Sequence, residues 1–263
     1  MRLIACAHPG KIGDTLYTLP AIRRLCEIHG AKADLYARWF CEPAKQFIEN
    51  QPFINKFRMD GIYTECKPRY QGTTKIPEEK NYIKYYDMSW ETPPMSPHPE
   101  NFCELVGVPA WVGKDIRYDV PDGLPGRAVD ALQGKTTYAV VVGRGPGAGG
   151  FRSLLENVIE MAPWPVLVLG TKDEYIKGGI DLTGLGYLDM ARVIARATAF
   201  VGMFSSPLVV AQGFEIPKTC VFNGTDWWPH QIVMDGETDY LVMPTAKRVL
   251  ESATRKLRHK RVW

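Results

Sequence analysis

Residues 3–14, Leu-Ile-Ala-Cys-Ala-His-Pro-Gly-Lys-Ile-Gly-Asp, decide how this chain folds. An apolar run from Arg2 to Ala7 breaks into a glycine-bearing loop, and Leu16, Leu19, Ile22 and Cys26 then recur at helical spacing. Strand, glycine loop and helix, in that order, open a parallel α/β unit. Such sheets gather ligands at the carboxyl ends of their strands, which puts His8, Gly10, Lys11, Gly13 and Asp14 where chemistry is expected. Glycine lets the chain turn tightly and lets another molecule approach the backbone. Asp14 has two compatible readings: a helix cap that accepts backbone N–H groups, or a base that faces a cleft.

Working outward, strand and helix alternate. A short strand is expected at 33–37, a helix at 42–50 and a strand starting at Phe53. Pro20 must sit near a first turn or kink its helix. Residues 60–97 read as a long irregular segment rich in aromatics, among them Tyr63, Tyr70, Tyr82, Tyr85, Tyr86 and Trp90. Its two readings are a surface excursion and an acceptor-binding loop. A helix is expected from His98 to Val106, ended by Gly107. Proline and glycine then cluster without periodicity at 120–126, the best linker. The second series has strands at 137–142, 166–169, 199–201 and 219–222, with helices at 151–161 and 187–197. The last helix, from Thr245 to about Arg258, is placed to reach back across the linker. The reading is two Rossmann-like α/β domains, 1–122 and 123–263, facing a central cleft.

Bulk composition narrows the function classes. The 263 residues are 45% hydrophobic and 23% charged, as in an ordinary soluble globule. No apolar run is long enough to span a membrane, and the N-terminus does not resemble a secretory signal, so a cytoplasmic protein is expected. The six cysteines form no C-x-x-C pair and the five histidines no metal-ligand spacing, so buried thiols and no metal are expected. A net charge of +3 does not demand a polyanionic partner. The basic stretch 247–260 reads first as a solvated helix face.

A second glycine loop, Gly143-Arg-Gly-Pro-Gly-Ala-Gly-Gly150, lies between a strand and a helix. Gly145 to Gly150 matches G-x-G-x-x-G, with Asp173 downstream, which admits an NAD(P)-dependent oxidoreductase. Against this, Asp173 lies beyond its strand rather than at its end. A phosphate-binding Walker loop is excluded, because Phe151-Arg152-Ser153 replaces Lys-Ser/Thr. Backbone N–H groups at a helix N-terminus, with Arg144 and Arg152 nearby, suit an anionic diphosphate better. A plain glycine turn that binds nothing is the third reading.

Together the two loops resemble the lipopolysaccharide heptosyltransferase family of glycosyltransferases. Gly13-Asp14-Thr-Leu-Tyr-Thr-Leu-Pro20-Ala-Ile-Arg-Arg-Leu25 is similar to that family's G-D-x-L-x-x-L-P-x-L-R-x-L opening. Val166-Leu-Val-Leu-Gly170, Asp181-Leu-Thr-Gly184, the helix Leu188–Ala197 and the strand Phe200-Val-Gly202 continue the pattern. Ser205-Ser-Pro207, Ala211, Gly213 and Pro217 follow it in turn.

The resemblance implies the GT-B fold, an acceptor on the N-terminal half and a nucleotide-sugar donor on the C-terminal half. It also implies metal-independent transfer with inversion, with no cofactor beyond the donor, and assigns the general base to Asp14. Donor contacts are then expected from Gly143, Arg144, Gly145, Arg152, Ser205, Ser206 and Pro207, and acceptor or diphosphate contacts from His8, Lys11 and Gly13. Asp226 is a weaker candidate for the donor sugar. The family's donor-loop D-S/T-G-x-x-H signature is altered: Phe204 replaces its aspartate, Ser206 its glycine and Val209 its histidine. That departure admits a homologue that binds nucleotide or glycan without turnover. The expected acceptor is a cell-envelope glycan. A hydroxymethylated phage DNA base is the alternative, motivated by the compact size and the basic tail; such a base would have to be extruded, and the aromatic segment 60–97 could stack against it. The sugar, the nucleotide base and the oligomeric state are not fixed by the sequence.

Overall fold

The structure, a computed structural model, describes residues 1–63, 74–76, 81–89, 98–143, 151–222 and 237–260. The chain divides into two compact units, with the break between Asp119 and Val120.

The first unit is built on four parallel strands: β1 (Leu3–His8), β2 (Lys32–Ala37), β3 (Ile54–Arg58) and, after a short antiparallel pair of β4 (Ile62–Tyr63) and β5 (Thr74–Lys75), β6 (Tyr85–Asp87). Their order in the sheet is β3-β2-β1-β6. Sequence order therefore reverses between β1 and β6, and the loops after these two strands flank the reversal, where open α/β sheets bind ligands. β6 lies inside the segment expected to be irregular. Its three residues are too few to show a strand period, and pairing with β1 supplies the order that local sequence lacks.

The opening helix is two helices, α1 (Ile12–Tyr17) and α2 (Leu19–His29). Pro20 falls in the first turn of α2, where its missing N–H costs nothing. The Thr18 hydroxyl donates to the Thr15 carbonyl at 2.7 Å and takes up one acceptor at the break. α2 ends at Gly30, whose φ of 55° closes the helix in the left-handed region. The helix expected at 42–50 is a 3₁₀ turn, Trp39–Ala44, followed by α3 (Lys45–Glu49), because Pro43 cannot donate within an α-helix. α4 (His98–Leu105) begins with a His-Pro pair.

The second unit starts with α5 (Gly126–Leu132) and carries six parallel strands: β7 (Ala139–Val142), β8 (Val166–Leu169), β9 (Ile180–Asp181), β10 (Ala199–Gly202), β11 (Lys218–Phe222) and β12 (Thr238–Val242). Their order, β12-β11-β10-β7-β8-β9, is the doubly wound one with its reversal between β7 and β10. The short strands β9 and β12 were not expected from the sequence. α6 (Arg152–Met161), α7 (Tyr187–Ala195), α8 (Ser206–Gln212) and α9 (Ala246–Lys260) complete the unit. β7, β8 and β10 are buried along their whole length and read as continuous apolar runs. The terminal helix α9, expected to be able to cross the linker, places Val249 and Ala253 in this unit's core beside Val201 and Val221.

Residues of the linker are held by α7. Arg192 donates to the carbonyls of Asp122, Gly123 and Leu124, and Arg196 to that of Pro121, at 3.2–3.4 Å. Cys6, Cys26, Cys41, Cys103 and Cys220 are buried free thiols, and burial pushes all five above the ordinary thiol range. Cys66 lies outside the described residues. No described helix is long and apolar enough to cross a membrane.

Candidate active site

At the first unit's reversal, β1 delivers His8 and its loop delivers Gly10 and Lys11, with Gly13 and Asp14 on α1. The Lys11 N–H donates to Asp14 Oδ2 at 3.2 Å. Asp14 is therefore the third residue of α1, and one carboxylate oxygen caps the first turn while the other, Oδ1, stands apart. The backbone contact of the cap reading is present, and it engages Oδ2 rather than Oδ1. The side chain is 16% exposed, enough for a hydroxyl to reach it and too little for bulk hydration. This desolvation raises the carboxyl to about 6, against the lowering by the Lys11 N–H and ammonium.

Two buried histidines belong to this end of the sheet, one on β1 and one on α4. The His8 ring, 1% exposed, lies 3.0 Å through Nδ1 from the Met88 carbonyl. Because a carbonyl only accepts, the proton is on Nδ1. Met88 directly follows β6, so this bond spans the two loops at the reversal. His8 also meets Phe102 of α4 edge to face, with ring centroids 4.8 Å apart. An added Cβ at Gly10 would overlap His8 Nε2 and fall 3.0 Å from Asp14 Cβ. Here glycine is required by close approach.

His98, the first residue of α4, brings Nε2 to 3.8 Å from Asp14 Oδ1 and packs edge to face on Tyr17. That separation is beyond hydrogen-bond range. Burial holds both His8 and His98 down at about 4, so both rings are neutral near pH 7. A partly desolvated carboxylate beside the neutral His98 imidazole has the chemistry of a base that could work near neutral pH. Beneath the loop, the Cys41 thiol donates to the Gly10 carbonyl and lies 3.6 Å from the Thr15 hydroxyl.

His98, Phe102 and Met88 escaped the sequence reading because their role is set by a fold contact some 80 residues away. The one local trace is the repeated His-Pro pair, His8-Pro9 and His98-Pro99, each where an element begins or ends.

At the second unit's reversal, Gly143 directly follows β7, and an added Cβ would fall 2.8 Å from Ile176 Cδ1. Arg144, Gly145 and the rest of the G-x-G-x-x-G match lie outside the described residues, as do Asp226, Tyr70 and Trp90. Arg152 opens α6; its guanidinium donates to the Tyr175 carbonyl at 2.8 Å, lies 3.5 Å from Glu156 and is 63% exposed. Ser205 stands at the N-cap position of α8, and its hydroxyl donates instead to the Met203 carbonyl at 3.2 Å. Ser206 bonds the Tyr187 hydroxyl, which joins the N-terminus of α8 to that of α7, and Pro207 is buried in the first turn of α8.

The Asp-Leu-Thr-Gly stretch is a structural device. Asp181 Oδ1 accepts from the Thr183 N–H and hydroxyl, and Gly184, at φ 77°, donates to the Gly170 carbonyl. Asp173 sits in an exposed 3₁₀ turn past β8 and accepts from the Thr171 hydroxyl at 2.5 Å. It does not close the strand, as a ribose-binding acid of a dinucleotide fold would.

No protein-family model and no curated protein sequence matches the chain. Solved structures do. A glycosyl transferase family 9 protein from Veillonella parvula superposes with a TM-score of 0.69 at 11% identity, over 98% of this chain and 97% of that one. ADP-heptose lipopolysaccharide heptosyltransferase II of E. coli gives 0.63 at 13%, over 99% of each chain. The dodecameric glycosyltransferase TibC of enterotoxigenic E. coli gives 0.63 at 13%, over 92% of this chain and 65% of TibC. The chain thus spans just under two thirds of TibC. At these identities the likeness is one of fold, and that fold is the GT-B type.

Proposed function

We propose that this protein is a metal-independent, inverting glycosyltransferase that moves a sugar from a nucleotide-diphosphate donor to an acceptor hydroxyl. One observation carries the reading: a partly desolvated carboxylate, Asp14, at the strand-order reversal of a GT-B-type unit, with its pKa near 6. In the step, the acceptor oxygen bonds the anomeric carbon from the face opposite the diphosphate. The acceptor proton passes to Asp14 Oδ1, and the diphosphate leaves with the electron pair of the broken C–O bond. Charge develops on the sugar ring and on the leaving oxygen. On the second unit, N–H groups at the starts of α7 and α8 would meet the leaving diphosphate. His8 would position the acceptor indirectly by holding Gly10, and Lys11 would offset acceptor or diphosphate charge.

A glycan acceptor is favoured over a DNA base. The basic tail that motivated DNA is partly neutralised: Arg255 lies 2.6 Å from Asp239 and Lys247 3.9 Å from Glu251. A second reading, nucleotide binding without turnover, rests on Val209, which replaces the family's donor-loop histidine and is buried in the core.

The test is a thermal-shift screen with ADP-, UDP-, GDP- and TDP-sugars, followed by an assay for release of free nucleotide diphosphate. A shift with release that Asp14→Asn abolishes supports transfer. A shift without release under any acceptor supports the binder, and no shift with any donor removes both.

A further inference from the structure

We infer that Asp34 is the register pin of the first unit's sheet. By accepting from the Tyr82 hydroxyl it fixes where β6 joins β1, and so delivers the Met88 carbonyl to His8. Asp34 is thus a positioning residue for the Asp14 site. Its catalytic meaning rests on the transferase reading, and its structural meaning does not.

The need for a pin comes from the strand. β6 has three residues and lies at the edge of the sheet beside β1. So short a strand specifies its register weakly, and a slip by one residue turns every side chain to the other face. A slip by two would keep the faces but carry Met88 about 7 Å along β1, out of reach of His8. In the observed register the ladder runs from Ile83, whose N–H donates to the Leu3 carbonyl, to Met88, whose N–H donates to the Ala7 carbonyl. Tyr82 stands immediately before this ladder.

Asp34 lies on β2 between Ala33 and Leu35 and is 2% exposed. A buried carboxylate is costly unless hydrogen bonds meet it, and here each oxygen has its own donor. Asn55 Nδ2 donates to Oδ1 and the Tyr82 hydroxyl to Oδ2, both at 2.7 Å, with Arg58 3.6 Å away. The pairing of β2 with β3 shifts between Ala33 and Asp34, so Asn55 is the extra residue of a bulge at the carboxylate. Tyr82 reaches Asp34 across β1, where Ala5 is the residue opposite Asp34 and leaves room for the ring. Tyr36 lies two residues along the same face, and its hydroxyl donates to that of Tyr82 at 2.9 Å. The best-attested use of a polar group held in an apolar core is to select one register among several.

Hydrogen exchange read by proton–nitrogen NMR of the full chain tests the pin, through the His8 Nδ1–H that the Met88 carbonyl holds. Tyr82→Phe should speed exchange of that proton by about tenfold or more. Asp34→Ala should do the same, whereas Asp34→Asn, whose amide oxygen still accepts from Tyr82, should restore protection. Tyr36→Phe controls for general loosening of the aromatic cluster and should leave the proton protected, with melting temperatures following the fold. Unchanged exchange in Tyr82→Phe, or equal acceleration in Tyr36→Phe, overturns the pin. Acceleration in Tyr86→Phe alone also overturns it and moves the role to the Tyr86–His29 contact. Neither donor nor acceptor enters the readout, so the two readings fail separately. A wild type that releases no nucleotide diphosphate, with the His8 proton held through Tyr82, rejects only the transferase.

Discussion

The two strand-order reversals are furnished differently. In the first unit, side chains are drawn in and stripped of water: a carboxylate with one oxygen held by a backbone N–H and the other beside a neutral imidazole. In the second, the side chains that could have reached a ligand are spent on the protein: Ser205 on Met203, Ser206 on Tyr187, Arg152 on Tyr175. Among the described residues of that reversal, the backbone N–H groups at the starts of α7 and α8 are what is left. A base must be tuned by its surroundings, whereas an anionic leaving group is served by N–H groups that need no tuning.

The contrast breaks first at Asp14. Asp14→Asn should lower transfer by about 10²–10⁴-fold, read as nucleotide diphosphate released. Gly10→Ala comes next: its Cβ drives His8 from the Met88 carbonyl, which should cost about 1–3 kcal/mol in chemical denaturation and most of the activity.

The pH dependence follows in size. Asp14 as base should give kcat/KM an acid limb centred near 6, falling as the carboxylate takes a proton. Its folded pKa lies above its ordinary 3.8, so the group favours the folded state below about 4 and loses that contribution as pH rises through 6. Asp14→Asn should therefore raise stability at pH 8, by at most about 3 kcal/mol, and leave it unchanged at pH 4. His8 and His98 act oppositely. With folded pKa values near 4, they stabilise fully above 6.5 and lose that contribution as pH falls from 6.5 toward 4. Unfolding followed by circular dichroism between pH 7 and 4 reads the two together.

The smallest effects belong to the second unit. Tyr187→Phe should cost about 1 kcal/mol and raise the donor KM by a few-fold, measured in the release assay. Arg152→Ala should shift donor affinity less than this by calorimetry, because its guanidinium already bonds the Tyr175 carbonyl.

Most of the alternation was legible because apolar runs such as 139–142 and 166–169 are buried on both faces and carry no competing signal. Asp14 was legible because glycine, a strand end and a helix start converge on it. Tyr85–Asp87, Ile180–Asp181 and Thr238–Val242 were not, since strands of two to five residues take their order from neighbours. The Thr18 break and the 3₁₀ turn at Trp39–Ala44 were hidden for another reason: proline signals interruption without saying on which side it falls. The histidine beside Asp14 was the largest omission, because a buried imidazole at a helix start has no local signature of the carboxylate it meets.

The hydrogen bond from His8 to Met88 has a kinetic consequence. It joins residues 80 positions apart, whereas α1 and β2 need only near neighbours, and distant contacts form after local ones. During synthesis the aspartate emerges early but stays hydrated, an unremarkable acid, until Met88, His98 and Phe102 have followed it out of the ribosome. The desolvated setting of Asp14 is thus completed late, once the chain has been made as far as Phe102, and a chain truncated before position 88 would carry the residue without that setting.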